Sequence, residues 1–419
     1  MQLWRNGCNL IIQELEVKRT AQSPNPQSPN IMTTNLFTFV SPSDLILEIP
    51  QNAYNQAWEK TRSHSNSTSR YQAYLNELCL SAILPWLQED IAPQAKVWFN
   101  TTALPSFWEL VNGTAICIDA TRVILVPHES IDLSELRVPQ EWVDIPSWRG
   151  DYYLGVEIEP EDGYVRIWGY STHTQLKNQG VYDATTRTYA LDASDIINDI
   201  CIFSVARQVC PHEITRSDVA ALPALSTTQA QNLITRLGEQ SMLAPRLSIP
   251  FQTWGALIEH GGWRNNLYQR RAGQPEQFSV FQWLQSGISQ VAQEFGWDSL
   301  NMQLGAVARS TEEATIQNIL SRQLTIAGQN YELRVIPQIE EEGIIWRFEL
   351  RNTAVGGVIP GGFKLRLLTE DLQSFPDNES AATTATEVLI VEVALESGEG
   401  IVWEIEPLPE NCDREILRF

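Results

Sequence analysis

Residues 142–177 read WVDIPSWRGDYYLGVEIEPEDGYVRIWGYSTHTQLK, and this stretch decides the fold. Leu154, Val156 and Ile158 alternate with Gly155, Glu157 and Glu159, and Val165 and Ile167 then alternate with Tyr164, Arg166 and Trp168. A repeat of two is that of a strand with one buried face. Pro160-Glu161-Asp162-Gly163 lies between the runs, with a glycine free to take positive φ. A four-residue loop places Glu159 opposite Tyr164, Ile158 opposite Val165, Glu157 opposite Arg166, Val156 opposite Ile167 and Gly155 opposite Trp168. Apolar meets apolar on one face and Glu157 meets Arg166 on the other, so a one-residue slip breaks both matches. The ion pair contributes about 0.2–1 kcal/mol and supports register more than stability. Glu157, Glu159, Glu161 and Asp162 are expected on a solvated face, and Trp168 is expected to lie over the bare backbone of Gly155.

Outward from the hairpin, residues 37–49 read as strand, turn and strand, and 51–58 and 71–87 as helices joined by a polar loop over 64–69. Residues 96–99 and 114–126 read as strands, and 192–209 as an amphipathic helix that Pro211 stops. These segments make a mixed α+β domain over 32–225. A helical connector over 226–318 follows, with helices expected at 229–237, 251–259, 263–271 and 279–295 and a cap at Ser226 or Thr227. Residues 319–419 carry short alternating runs at 322–327, 331–336, 344–350, 363–368, 387–395 and 401–405, the pattern of an antiparallel β-sandwich-like domain. The fold class is therefore α+β. Residues 21–31, AQSPNPQSPNI, are polar and proline-rich, and patterned sequence begins only at Met32. Residues 1–31 are expected to be either an over-extended start or a disordered tail.

Composition bounds the function. The net charge of −22 opposes phosphate neutralisation, which dominates nucleic-acid affinity, and no strong basic patch offsets it. Nucleic acid is excluded as a partner, and such charge suits solubility or a basic protein partner. Six cysteines are scattered without framework spacing, as in reduced thiols of a cytosolic protein. No apolar run approaches the roughly 20 residues that span a bilayer, and no signal peptide is legible. A cytoplasmic location with no membrane contact is expected.

The segments DYYLGVEIEPEDGYVRIWGYSTHTQLK, VARQVCPHE, FQWLQSG…EFGW and FKLRLLTEDLQ…VEVALESGEGIVWEIEPLP carry a resemblance over most of the chain after Met32. They resemble a cyanobacterial family, domain of unknown function 1822. The resemblance implies a cytosolic cyanobacterial protein and carries over no catalytic residues.

The motifs that suggest chemistry fall short of it. His212-Glu213-Ile214-Thr215-Arg216 has Arg216 where a zincin needs its second histidine, and a cation there repels a metal. Cys201, Cys210 and His212 match no common zinc spacing, and Cys201 falls on the apolar side of its helix. No Gly-Lys-Ser/Thr phosphate loop and no Gly-x-Ser-x-Gly elbow occurs, and Gly356-Gly357 and Gly361-Gly362 read as a turn. Trp142, Trp148, Trp168 and Tyr170 suit sugar stacking, yet tryptophan is more often core. The acidic residues of the hairpin read as charged surface rather than a glycosidase pair. Ser171 or Thr172 is expected to cap a turn and leave His173 on the surface, the alternative being an aromatic pocket of Trp168, Tyr170 and His173. Arg264, Arg270 and Arg271 form the one basic cluster, suited to a helix end or an acidic partner surface.

No catalytic, cofactor-binding or metal residue is therefore assigned. Trp168, Tyr170, His173, Arg270 and Arg271 are the candidate ligand or partner contacts. The leading expectation is a non-enzymatic cytosolic regulatory or scaffold protein that binds other proteins. The alternative is a small-molecule or carbohydrate-binding protein, with hydrolysis open to it, centred on the aromatic cluster at Trp168. The sequence leaves the oligomeric state open.

Overall fold

The structure is a computed structural model that describes residues 44–419, apart from 99–100, 130–132, 201–202, 204–213, 275–278, 304–315, 341–342, 397 and 411. The hairpin supplies its central strands. Strand β6 (Tyr152–Glu159) pairs antiparallel with β7 (Tyr164–Thr172) in the expected register from Glu159–Tyr164 to Val156–Ile167. The ladder then shifts at Gly155/Val156, so Gly155 faces Gly169 and Trp168 is the extra residue of a β-bulge. This corrects the expected Gly155–Trp168 pairing. The indole still covers the glycine: a Cβ placed on Gly155 would lie 2.6 Å from Trp168 Cε2.

Strand β6 is internal to a six-stranded sheet, flanked by β7 on one side and β4 (Thr121–His128) on the other. The β4–β6 pairing is parallel, and β1 (Leu45–Glu48), β3 (Thr114–Ile118) and β2 (Lys96–Val97) complete the sheet. Every residue of β6 except Glu159 is buried, as in a strand covered on both faces. Glu157 therefore leaves the solvated face expected for it and is paired with Arg166 at 3.1 Å, while Arg166 also holds Asp44 at 2.6 Å. Residues 114–126 form two strands rather than one, because Asp119 takes φ 54° and turns the chain between β3 and β4. An aspartate tolerates that left-handed conformation, and the apolar alternation on either side conceals it in the sequence.

Helix α1 (Gln51–Lys60) leads by a short turn into α2 (Ser67–Trp86), whose cap Asn66 accepts from the Thr68 and Ser69 amides at 3.0 Å. Helix α3 (Leu104–Trp108) has no counterpart in the sequence reading. A three-stranded sheet of β5 (Glu135–Pro139), β9 (Thr188–Asp192) and β8 (Val181–Asp183) lies beside the large one, with α4 (Gln140–Asp144) and α5 (His173–Gln179) at its ends. The helix expected from 192 does not start there: Asp192 ends β9, Ala193–Asp195 form a 3-10 turn capped by Asp192 and Ile197 bridges Tyr170, so helix appears only from Ile200, while Cys201, Cys210 and His212 lie outside the described residues.

Helices α6 (Thr227–Leu237), α7 (Phe251–Glu259) and α8 (Gly261–Arg271) follow. Ser226 caps α6 in a reciprocal box with Gln229. The helix expected over 279–295 is broken by Gly287 at φ 91° into α9 (Val280–Ser286) and α10 (Gln290–Glu294). Two antiparallel sheets then share one apolar core, which fits the sandwich-like expectation. The first is β10 (Trp297–Gln303), β11 (Ile316–Ile326), β12 (Gln329–Glu340), β13 (Gly343–Asn352) and β16 (Val388–Ala394). The second is β15 (Glu379–Ala381), β14 (Lys364–Thr369), β17 (Gly400–Glu406) and β18 (Ile416–Arg418). Ala327 and Gly328, at φ 49° and 72°, make the two-residue turn between β11 and β12. The chain is thus a mixed α+β protein. Leu368, Val402 and Ile416 of the C-terminal sheets pack into the same apolar cluster as the six-stranded sheet and helices α6 to α8.

Candidate functional site

The bulge at Trp168 shapes one wall of a cavity. It measures about 220 Å³ and is lined by His128, Leu133, Ser134, Glu135, Leu136, Arg137, Gly155, Val156 and Trp168. The extra residue breaks the ladder, and the indole lies across the space that Gly155 leaves. Strand β5 supplies the facing wall. Its own alternation buries Leu136 and Val138 and exposes Glu135 and Arg137.

The polar groups of this wall are largely engaged with one another. Arg137 holds Glu135 at 2.6 Å and approaches Asp183 at 4.0 Å. His128 Nε2 lies 3.3 Å from the Arg137 carbonyl, so the tautomer that donates from Nε2 suits the site. Burial, and secondarily the Arg137 charge, holds the His128 pKa below the ordinary histidine value while the carbonyl bond works the other way. A neutral imidazole at pH 7 follows.

The five sequence candidates do not converge. Trp168 lines the cavity, but Tyr170 is buried against Tyr152 and Phe203, at ring distances of 5.9 and 5.6 Å. His173, expected on the surface, is fully buried. Its Nε2 lies 2.8 Å from the Val143 carbonyl and its Nδ1 accepts from the Ser217 amide at 3.0 Å. With one nitrogen donating and the other accepting, the ring is satisfied as a neutral strut, and burial lowers its pKa. The cap itself forms as expected, Thr172 accepting from the Gln175 amide. Arg270 is exposed on α8. Arg271 is buried, with Nε 2.8 Å from Glu109 Oε1 and Nη1 donating to the Leu237 and Met242 carbonyls at 3.0 Å. That removes Arg271 from any partner surface.

Sequence reasoning missed the wall that faces Trp168. Residues 135–139, ELRVP, carry a two-residue alternation that signals a strand, but a run this short stands out poorly. The Arg216 that spoils the zincin pattern is held by Asp151 at 2.7 Å, and Thr215 Oγ1 donates to the same carboxylate at 2.7 Å. Among the described residues no group of three or more His, Cys, Asp or Glu is placed to hold a metal ion, and no helix is long and apolar enough to cross a membrane.

A second site lies where the start of α8 meets the C-terminal strand. His260 accepts from the Trp263 amide through Nδ1 at 3.3 Å, and its Nε2 lies 3.0 Å from the Glu370 carbonyl. Glu370 also accepts from Trp263 Nε1 at 3.1 Å and pairs with Arg418 at 2.5 Å. Arg264 stacks over Phe107 at 3.9 Å and pairs with Asp413. Gly262 is required here, since a Cβ would come within 2.5 Å of Ile416 Cγ1. The cavity at this junction measures only about 10 Å³, the room of a single water. It is a packed seam and not a ligand site.

These features define an α+β protein with a small indole-walled cavity and a charged internal seam. The model of the family described as protein of unknown function DUF1822 matches residues 47–418, so the chain belongs to that family. No curated protein and no solved structure matches the chain.

Proposed function

We propose that this is a non-enzymatic cytosolic protein of a cyanobacterium that acts as a regulator or scaffold by binding other proteins. The observation that carries this reading is the use made of buried charge. Arg246 pairs with Glu141, Arg264 with Asp413, Arg271 with Glu109 and Arg322 with Glu415, across sequence separations of 105, 149, 162 and 93 residues. None of these groups lines the 220 Å³ cavity. A catalyst aims ionisable groups at a shared space, whereas these four pairs tie distant segments into one body. Such a body suits the presentation of a fixed surface, and the charge of −22 favours a partner with basic character.

The test is affinity capture of the full chain from its native cell, followed by reassembly from two purified proteins. A captured protein that reassembles with the chain at fixed stoichiometry, and binds more weakly as salt rises, is the expected result. Failure of every captured protein to reassemble overturns the proposal.

A further inference from the structure

We propose that the cavity beneath Trp168 is a binding site for a small, uncharged, planar ring compound. This goes beyond the protein-binding reading and stands or falls separately from it. Its volume of about 220 Å³ is on the scale of the roughly 150 Å³ cavity that accepts benzene, with walls of mixed polar and apolar side chains. A single ring with a short substituent, or a compact fused pair of rings, fills that space.

The lining selects the chemistry. Trp168, Leu136, Val156 and Leu133 offer an aromatic surface and aliphatic walls. The bare backbone of Gly155 keeps the indole flat against its strand, where any larger residue would displace it. An aromatic ring offered to such an indole gains offset or edge contact, worth about 0.5–1.5 kcal/mol beyond area burial.

The polar groups argue against two competing classes. A sugar needs many hydrogen bonds, but Arg137 is engaged with Glu135 at 2.6 Å and His128 Nε2 with the Arg137 carbonyl at 3.3 Å. A free sugar would have to break those bonds to satisfy its hydroxyls. An anion finds Arg137 already paired with Glu135 at 2.6 Å, so the wall offers it no net positive charge, and it meets the field of a chain with net charge −22. A neutral ring faces neither penalty. One polar substituent at the open side can still meet water or the rim.

The experiment uses the full chain and three probes: indole, benzoate and methyl α-glucoside. Saturation-transfer NMR at millimolar concentration should show transfer to indole and none to the other two. Ser134 is an exposed cavity-lining residue just before β5. Ser134→Trp should crowd the cavity and weaken indole binding at least about tenfold. A measurement on the unmodified protein guards against misfolding of the blocked variant. The Trp168 side-chain N–H resonance, assigned by its loss in Trp168→Phe, should shift on indole addition. Absence of transfer to indole, an unmoved Trp168 resonance, or equal binding of glucoside or benzoate overturns the proposal.

Discussion

Gly155→Ala tests the bulge and the indole placed over it. Gly155 lies in β6 and does not have positive φ, so alanine fits the backbone there. The strain comes from the side chain alone. Its Cβ would meet Trp168 Cε2, Cζ2 and Nε1 at 2.6, 2.8 and 2.9 Å. Ordinary carbon contacts lie near ~3.5 Å, so three ring atoms must retreat together. Overpacking of this kind costs about 1–3 kcal/mol, and replacing glycine within a strand returns about 0.5–1 kcal/mol. The net expectation is a loss of roughly 1.5 kcal/mol. Urea unfolding followed by far-ultraviolet circular dichroism measures it, and the same substitution in a Trp168→Leu background isolates its cause. Without the indole, Gly155→Ala should be neutral or stabilising by about 0.5 kcal/mol. An equal loss in both backgrounds would refute the argument, because the penalty would then belong to the backbone and not to the ring.

Two further outcomes concern the seam. Asp413→Ala strands the buried Arg264 charge, which keeps only Ser106 Oγ at 3.2 Å and the Ile258 carbonyl at 3.0 Å as polar partners. A loss of about 3–5 kcal/mol is expected, with amide exchange accelerated at 260–264 and 413–418 but not within the hairpin; a loss below ~1 kcal/mol contradicts the seam's role. Burial, followed by the Arg414 charge, pushes the His260 pKa down to about 3 from 6.5. The unfolded chain therefore takes up a proton below pH 6.5 that the folded chain refuses, so His260's contribution is intact above 6.5 and lost as pH falls towards 3. Stability should decline by about 1.4 kcal/mol per pH unit from this residue, and His260→Gln should remove that part of the slope. An unchanged slope between about pH 6 and about pH 4 would show that the imidazole charges freely in the fold.

Local pattern made the hairpin legible, and local geometry explains where it misled. Alternation located β6 and β7 and set four of their pairs, because each residue's face follows from its neighbours. The bulge was not legible, since an extra residue leaves the composition of both strands unchanged and shows only as a change of partner. Nevertheless, a glycine across from a tryptophan was sufficient to place the indole over it. Ser226 was legible as a cap because Gln229 completes the box three residues on. His173 was misplaced for the opposite reason. Its partners are the Val143 carbonyl and the Ser217 amide, 30 and 44 residues away, and backbone groups carry no mark in the sequence.

The same distinction explains the basic cluster. Arg264, Arg270 and Arg271 read alike from composition, as a solvated helix end, yet α8 buries the first and third and exposes the second. Helical geometry separates Arg270 from Arg271 by about 100° around the axis, so adjacent arginines can face solvent and core. What determines burial is the carboxylate each one finds. Arg271 finds Glu109 near α3, and Arg264 finds Asp413 near the C-terminus. A buried arginine without its carboxylate would be strongly unfavourable. Glu109 and Asp413, each outwardly an ordinary acidic residue, therefore remove the cost of burying two arginines as α8 docks through Trp263 and Leu267. A chain with 51 acidic residues offers too many possible partners for the sequence to single out those two. The fold selects them by bringing α8 against both the α3 region and the C-terminal strand, and in doing so makes those charges part of its interior.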